Sequence, residues 1–337
     1  MMKTHAIIFT VLALSSCTDH PTEPSPTRFN GKIVFGAVRE EGSGYIYSDV
    51  VMIEGDGTTT KLSSADSCYT RRPFITRDGT KVAFTSCTHR TTKVFIYETA
   101  TGMLRNITYD QVIEEFPTWS PDGRYLAFIS FRDGHRNIFC LDDATGDVQK
   151  VSGSDGAYWS GNWTPDNATL CYYGYAVGQS SQIYLFDLHS LTSRVLTSGA
   201  GTKQESTITP DGQLLAYQKD WRLHFLTADG TIDTLVTNAP DSVRGPMGWS
   251  SSGDFLVFQG LVNGRWDIYR LRRNGTGLVN LTADFLGGQA PVLSPDDAEI
   301  AFVASTVSKI YLMNNDGTNK RPLTRLNQRE FSPSWGN

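Results

Sequence analysis

Four aspartates recur along the chain at nearly regular intervals, and such a row of carboxylates could be drawn as a metal site. They are Asp122, Asp166, Asp211 and Asp296. Each follows a proline in a short polar stretch between two apolar runs, which is typical of a tight turn. In such a turn the aspartate side chain accepts hydrogen bonds from nearby backbone amides. We therefore interpret the four as structural turn residues and expect neither a metal nor another cofactor.

Most signatures of enzymes are missing from the sequence. It contains no G-x-S-x-G nucleophile elbow, no H-E-x-x-H motif and no paired cysteines at zinc spacing. The six histidines are scattered, and only His89 and His135 fall in loops that could meet. We assign no catalytic residue on these grounds.

Arginine, glutamate, glutamine and aromatic residues gather just before and after the apolar runs, at positions that differ from one run to the next. Arginine and tryptophan are common among the residues that dominate binding energy at interfaces. The set therefore predicts a binding face; the alternative is a solvated surface whose charges pair with their neighbours. The candidate face comprises Arg71, Arg72, His89, Arg90, Glu114, Glu115, Arg132, His135, Trp159, Gln204, Glu205, Trp221, Arg244, Gln289, Arg329 and Glu330. Arg136 and Tyr173, in the same polar stretches, belong to the surroundings of this face.

An internal repeat supplies the elements that would position these residues. The segment Phe116–Ser130 reads FPTWSPDGRYLAFIS and returns in diverged form, for example as RPFITRDGTKVAFTS from Arg72. The aromatic residue that ends each apolar run recurs roughly every 44 residues, which is the length of one propeller blade. Each unit holds four short segments separated by turns, which predicts a blade of four antiparallel strands.

Four tryptophans occupy one matching position of this repeat: Trp119, Trp163, Trp249 and Trp335. A large aromatic side chain at a repeated position is expected to serve the fold. We predict that these rings pack between blades, each burying about 150–250 Å², and that they do not form a sugar-binding platform.

The two ends of the chain complete one further copy of the repeat. The chain ends FSPSWGN, and the segment from Phe29 begins FNGKIVFGA. Joined through Trp335 and Asn30, they regenerate the turn and the alternating strand of the other copies. We therefore predict an all-β fold, a seven-bladed β-propeller closed by the C-terminal strand joining the N-terminal blade. Such closure removes the free sheet edges that would otherwise pair with other chains.

The pattern W-S-P-D-G-x-x-[IL]-A-F, present as Trp119–Phe128 and followed by Ile-Tyr and Leu-Thr pairs, resembles the TolB-type (WD40-like) propeller repeat. Similar units occur in TolB, in propeller domains of prolyl-oligopeptidase-type enzymes, in oligogalacturonate lyases and in many bacterial lipoproteins. The resemblance covers about residues 29–337 and implies the fold. The shared residues are structural, and TolB has six blades and a separate N-terminal α/β domain, so its partners are not implied.

The same resemblance carries the alternative function. Oligogalacturonate lyases place histidines and a glutamine around a metal in the channel. His89 and His135 with Gln204 or Gln289 would form an incomplete version of that arrangement. A carbohydrate-active enzyme of the lyase or hydrolase class, with or without a metal, is thus the second hypothesis.

The N-terminus has the features of an export signal. Lys3 is followed by an apolar run of about nine residues, too short to span a bilayer, which ends in Leu14-Ser15-Ser16-Cys17. A hydrophobic residue, two small residues and a cysteine resemble the lipobox of bacterial lipoproteins, in which that cysteine is lipidated; an ordinary signal peptide is the alternative. Residues 1–17 are thus the predicted signal, 18–28 a proline-rich tether, and 29–337 the propeller.

Export would permit disulfides among the remaining cysteines. Cys68 and Cys87 lie at the same end of a hairpin about Asp78, roughly one pair out of register, so either a disulfide or two thiols is compatible with the sequence. Cys140 and Cys171 fall within strand patterns and are expected to be small buried thiols.

Composition narrows the function further. A net charge of -5 argues against nucleic-acid binding, which normally needs a basic stripe. The hypothesis is therefore a lipid-anchored scaffold of the cell envelope, most consistent with the outer membrane. It would bind an envelope protein or peptide, or less readily a glycan, at the mouth of the propeller channel, and would touch the membrane through its lipid alone.

Overall fold

The computed structural model describes residues 28–40, 46–63, 71–88, 91–108, 112–153, 156–164, 166–324 and 326–337. Within these ranges the chain is all β and forms seven separate antiparallel sheets, so the predicted fold class is confirmed. No helix in the described ranges is long and apolar enough to cross a membrane.

The seven sheets are the blades, numbered in chain order, and each is given from its innermost strand outward. Blade 1 contains β29 (Arg329–Gly336), β1 (Lys32–Glu40), β2 (Ile46–Glu54) and β3 (Thr59–Lys61). Blade 2 contains β4 (Arg71–Ile75), β5 (Lys81–Thr88), β6 (Thr91–Glu98) and β7 (Leu104–Asn106). Blade 3 contains β8 (Glu114–Trp119), β9 (Tyr125–Ser130), β10 (Asn137–Asp142) and β11 (Val148–Lys150).

The remaining blades follow the same order. Blade 4 contains β12 (Gly156–Trp163), β13 (Thr169–Ala176), β14 (Gln182–Asp187) and β15 (Thr192–Val195). Blade 5 contains β16 (Lys203–Ile208), β17 (Leu214–Lys219), β18 (Arg222–Thr227) and β19 (Asp233–Leu235). Blade 6 contains β20 (Ser242–Val243), β21 (Gly248–Trp249), β22 (Phe255–Val262), β23 (Arg265–Arg272) and β24 (Val279–Asn280). Blade 7 contains β25 (Gln289–Leu293), β26 (Glu299–Ala304), β27 (Lys309–Asn314) and β28 (Arg321–Pro322).

Aspartates cap the turns between the first two strands of the blades, as the sequence predicts. In blade 3, Asp122 Oδ1 accepts the Arg124 amide at 3.0 Å and the Ser120 hydroxyl at 2.6 Å. Gly123 has a φ of 68°, a conformation that glycine adopts without steric cost. Asp166, Asp211 and Asp296 accept the equivalent amides in their own blades.

The hydrophobic core consists of seven clusters, and each lies between two neighbouring blades. The four repeated tryptophans belong to four of these clusters, which confirms that they pack between blades. Trp163 also donates its indole N–H across an interface to the Thr118 carbonyl at 3.2 Å. The blades therefore support one another around the ring, because no single sheet encloses a core of its own.

The last strand of the chain closes the ring. β29 pairs with β1, with Trp335 opposite Ile33, and it packs between the inner strands β25 and β4. The Trp335 indole donates to the Asn30 carbonyl at 2.7 Å, and the Ser334 hydroxyl accepts the Ile75 amide at 3.2 Å. The predicted closure by the chain's tail and the count of seven blades are both confirmed.

Antiparallel pairing gives the ring two different faces. The mouth face carries the first residues of the inner strands together with the loops between the second and third strands of each blade, because Glu114 pairs with Ser130 and Ser130 with Asn137. The turn face carries the capped turns and the opposite strand ends. Those candidate binding residues that the structure describes belong to strands and loops at the mouth face.

Candidate functional site

The inner strands share a backbone irregularity where they reach the mouth face. In six blades a β-bulge interrupts the pairing of the innermost strand, and in blade 6 that strand is split into β20 and β21. In blades 1, 2, 3, 5, 6 and 7 one residue of the interruption has a left-handed backbone. These residues are Arg72, Phe116, Glu205, Gly245, Ala290 and Ser332.

Recurrence shows that this conformation belongs to the architecture. A left-handed non-glycine residue costs of the order of 1–3 kcal/mol and often marks a functional site. Here the same conformation returns from blade to blade, so the backbone alone does not single out a site. What differs is the side chain, since blades 2, 3 and 5 carry Arg72, Phe116 and Glu205, whereas blades 6, 7 and 1 carry Gly245, Ala290 and Ser332.

The large side chains of this ring meet one another. The Arg72 guanidinium lies over the Phe116 ring, with Cζ 4.8 Å from the ring centroid. Arg136, at the end of the loop before β10, approaches the same ring at 5.2 Å. A cation over an aromatic face is attracted by the ring quadrupole, so Phe116 holds two guanidinium groups in place.

Arg136 continues the contacts into blade 4. Its Nη1 donates to Glu115 Oε1 at 2.8 Å, and its Cζ lies 5.1 Å from the Trp159 ring. Trp159 stacks on Tyr173 with the centroids 5.5 Å apart and the planes within 5°. The Nε of Arg136 is buried and has no hydrogen-bond partner in the described part of the chain.

Glu205 completes the arrangement from the other side of the channel. It accepts a hydrogen bond from the Tyr173 hydroxyl and interacts electrostatically with Arg72, which lies three blades away. Burial raises the pKa of the Glu205 carboxyl, while Arg72 and the Tyr173 hydrogen bond oppose that rise. Burial likewise raises the pKa of the Tyr173 hydroxyl, with the Glu205 charge adding to it.

Six residues from blades 2–5 therefore converge on one part of the channel mouth. We call them the mouth cluster: Arg72, Phe116, Arg136, Trp159, Tyr173 and Glu205. Arg72, Trp159 and Glu205 belong to the face expected from the sequence. Arg136 and Tyr173 were expected in the surroundings of that face. Phe116 was not, although it shares its repeat position with Arg72 and its place before a proline was a usable signal.

Two candidate carboxylates serve the fold. The Glu114 side chain is fully buried and accepts the Ser130 hydroxyl at 2.9 Å and Arg132 Nη2 at 2.6 Å. Glu330 is also buried, where its Oε2 accepts the Ile310 amide at 2.8 Å. Burial raises the pKa of Glu330 against its hydrogen bonds. The Glu114 and Glu330 carboxylates therefore lie inside the blades, away from the surface that a ligand could reach, whereas the Arg132 side chain stays 25% exposed.

A second aromatic pair lies on the mouth face at blades 5 and 6. The Arg244 guanidinium covers the Trp221 ring at 3.9 Å, and Trp221 stays 41% exposed. Asp220 and Trp221 form the tip of a hairpin with φ values of 50° and 69°. An exposed tryptophan held in a left-handed conformation is a ready contact point, but no described contact joins this pair to the mouth cluster.

The other candidates are dispersed over the mouth face. Gln204 is half-buried and pairs with Gln218, while Gln289 Nε2 donates to the Ser305 hydroxyl at 3.4 Å. His135 and Arg329 are exposed. For Arg71 the structure describes the backbone alone, as the first residue of β4, and His89 and Arg90 lie outside the described residues.

Of the five cysteines, the structure describes Cys87, Cys140 and Cys171. Cys140 and Cys171 are free and buried, as expected, and burial raises the pKa of each thiol to about 12. Cys87 is disulfide-bonded. Its expected partner Cys68 lies outside the described residues, as does Cys17, so the pairing and the lipidation stay predictions. No group of three metal-ligating side chains occurs among the residues that the structure describes.

The chain is similar to a known domain family over almost its whole length. The model of the TolB beta propeller domain matches residues 24–234 and 116–337. An uncharacterized protein of Agrobacterium fabrum is 24% identical over 172 residues, which are 46% of this chain and 58% of that protein. The chain therefore spans less than two thirds of that relative's length.

Solved structures show the same fold. TolB from Acinetobacter baumannii superimposes with a TM-score of 0.53 and 20% identity, covering 73% of this chain and 62% of TolB. An oligogalacturonate lyase in complex with manganese gives a TM-score of 0.68 at 16% identity and covers 88% of this chain and 86% of the lyase. At these identities the likeness concerns architecture, and the two proteins have different functions on similar rings.

Proposed function

The chain belongs to the TolB beta-propeller domain family, and from this premise we propose that it is a lipid-anchored binding protein of the cell envelope. The mouth cluster would hold the partner, which we propose to be a protein or a peptide. The observation that carries the proposal is the convergence of six side chains from blades 2–5 at one end of the channel.

The chemistry of the mouth cluster suits recognition of a polypeptide. Arginine, tyrosine and tryptophan are the residues most often found as interface hot spots. The stack of Trp159 on Tyr173 and the two guanidinium groups on Phe116 fix these side chains before a partner arrives. Side chains that are already ordered lose less conformational entropy on binding, which favours affinity.

The charges of the mouth cluster favour a partner with polar groups. Two arginines and one carboxylate lie within it, and the buried Nε of Arg136 has no acceptor among the described residues. A buried donor without a partner is costly, so a carbonyl or carboxylate supplied by a bound chain would remove that cost.

The position of the tether supports an accessible mouth. The Phe29 amide donates to the Gly55 carbonyl at 3.4 Å, beside a turn of the turn face. A lipid on Cys17 would therefore attach the chain through the face opposite the mouth cluster. We propose that the mouth faces away from the membrane, and we expect Cys17→Ser to release the protein from membranes.

A photo-crosslinking experiment tests the proposed binding site. A benzophenone amino acid replaces Phe116 in the mouth cluster or, as the matched control, Ala290 at the same repeat position across the mouth. Both probes are expressed in cells, irradiated, and the adducts identified by mass spectrometry. We expect a discrete polypeptide adduct at position 116 at least several-fold stronger than at 290, and its loss when Trp159→Ala is added.

The opposite outcome is equally specific. Equal or absent adducts at the two positions, together with measurable turnover of a polysaccharide by the purified chain, would replace the binding hypothesis with the carbohydrate-active enzyme. A stoichiometric divalent metal that is lost on His135→Ala would point the same way.

A further inference from the structure

A cleft lies on the turn face of blade 6, and all of its lining residues come from that blade. It encloses about 500 Å³ at the outer part of blade 6. Its lining residues are Asp254, Phe255, Arg270, Arg272, Arg273, Asn274, Gly277 and Val279. Three arginines in one small cleft set it apart from the mouth cluster in both position and chemistry.

The repeat shows that Arg272 is unusual. It pairs with Phe255 at the end of the third strand of blade 6. The residues at this position in the other six blades are acidic or neutral, namely Glu54, Glu98, Asp142, Asp187, Thr227 and Asn314. Only blade 6 has a cation there.

Arg270 departs from the repeat even more sharply. It pairs with Val257, one position of the repeat that faces the neighbouring blade. The other six blades have apolar residues there, namely Met52, Ile96, Cys140, Leu185, Phe225 and Leu312. A charged side chain in place of an inter-blade core residue loses hydrophobic burial, so the fold gives no reason for it.

Among the described residues, neither Arg270 nor Arg272 has an ion pair with a carboxylate. Arg273 is paired with Asp211 at 2.6 Å, and Arg270 Nη1 donates to the Asn315 carbonyl at 2.9 Å. The Arg272 side chain has neither a hydrogen bond nor an ion pair with any described residue, and it is exposed. Asp254 in the lining and Asp316 near Arg270 are the other carboxylates close by.

The cleft also has a rigid floor. Arg270 Cζ lies 5.6 Å from the Phe255 ring centroid, so an aromatic face and a backbone carbonyl orient this guanidinium. Guanidinium forks match tetrahedral oxyanions with two parallel hydrogen bonds. The oriented guanidinium of Arg270 and the unpaired guanidinium of Arg272 could therefore bind one such oxyanion together.

We propose that this cleft binds a phosphate- or sulfate-type oxyanion through Arg270 and Arg272. The anion has two possible sources, a small solute or the phosphate of an acidic lipid headgroup. The second source is compatible with the cleft lying on the face from which the tether leaves.

Binding is tested on the purified full chain with two probes. Calorimetry measures inorganic phosphate and sulfate, and sedimentation measures vesicles of phosphatidylcholine with and without phosphatidylglycerol. The variants Arg272→Glu and Arg270→Leu restore residue types that the other blades already accept, so both are expected to fold. Arg194→Gln, which removes an exposed arginine of blade 4, is the control.

We expect at least a tenfold loss of affinity in both cleft variants and none in the control, with unchanged melting temperatures. Phosphate binding that depends on the cleft identifies a solute site. Sedimentation that needs phosphatidylglycerol and is lost in Arg272→Glu, without phosphate binding, identifies a headgroup site. The proposal is overturned if neither probe binds, or if binding survives both substitutions. If Arg272→Glu does not fold, Arg272→Gln takes its place with the same expectations.

Discussion

Arg72 of blade 2 and Ala290 of blade 7 occupy the same bulge of the same repeat, with φ values of 45° and 49°, yet their surroundings at the channel mouth differ. Around Arg72, the side chains of blades 2–5 form an interlocked group of arginines, aromatic rings and a carboxylate. Around Ala290, the equivalent positions hold Gly245 and Ser332. The backbone is conserved by the architecture, and only the side chains distinguish a site from its scaffold.

The half of the mouth that holds Gly245, Ala290 and Ser332 is also the half where the ring closes. β29 crosses from blade 7 to blade 1 there, and Gly36 leaves room for the Phe331 ring beside it, since a Cβ at Gly36 would lie 2.2 Å from that ring. The buried Glu330 carboxylate joins the same strand to the Ile310 amide of blade 7. Side-chain volume in this half is used for closure, whereas the other half uses it to build the mouth cluster.

The largest loss of stability is expected on removing the strand that closes the ring. Removing residues 329–337 deletes the inner strand of blade 1 and opens the cores that blade 1 shares with blades 2 and 7. Because a domain of this kind has only about 5–15 kcal/mol of net stability, the truncated chain should show no cooperative unfolding transition. Thermal melting followed by circular dichroism measures this. A transition at the native temperature would show that the ring does not depend on its last strand.

Substituting two tryptophans should distinguish a core residue from a residue of the mouth cluster. Trp119 is 3% exposed between blades 2 and 3, so Trp119→Ala should cost about 3–5 kcal/mol of unfolding free energy. Trp159 is half-buried in the mouth cluster, and Trp159→Ala should cost about 1–2 kcal/mol because its ring contributes mainly stacking. Urea denaturation of both variants gives the comparison, and equal losses would mean that Trp159 is a core residue.

Glu205 should make the stability of the mouth cluster depend on pH. Its folded-state pKa is raised by burial, so its ionisation opposes folding. Its stabilising contribution is present below the ordinary glutamate pKa and is lost as pH rises through the raised one. Relative to Glu205→Gln, the native chain should therefore gain stability as pH falls through that window. Gln289→Ala serves as the control, and parallel pH profiles for the native chain and Glu205→Gln would contradict the prediction.

The smallest change in stability is expected on replacing each of the two bulge residues with glycine. Ala290→Gly should stabilise the chain by about 0.5–1 kcal/mol, since glycine adopts a positive φ without steric cost. Arg72→Gly should gain about the same unfolding free energy from the relieved backbone. It should lose a similar amount with the Phe116 contact, which is worth roughly 0.5–1 kcal/mol. The net change at Arg72 should be close to zero. Equal stabilisation at both positions would show that the Arg72 contacts contribute nothing.

Much of the fold was readable because each blade repeats one local pattern. The alternating strand at Lys81–Phe84, the turn at Asp78 and the inter-blade tryptophans each follow from sequence neighbours. Ring closure could be predicted for the same reason, since Trp335 and Ile33 complete one known unit.

The site was readable only in part. Glu114 and Arg72 both lie at the start of an inner strand, yet one is buried against Arg132 and the other is exposed over the Phe116 ring. The bulge decides which way each side chain turns, and a one-residue irregularity is not visible in an alternating pattern. Phe116 was missed because its importance arises from partners in another blade and another loop, the Arg72 and Arg136 guanidinium groups.

The sequence by itself determined the repeat, the number of blades and the strand that closes them, since these depend on local periodicity and on turns within a few residues. The tertiary structure alone decided that the charges of Arg72 and Glu205 interact across the channel mouth. It also decided that Arg270 and Arg272 line one cleft. The reason is physical: a ring brings together residues whose separation along the chain carries no signal, and electrostatic contact depends on distance in space.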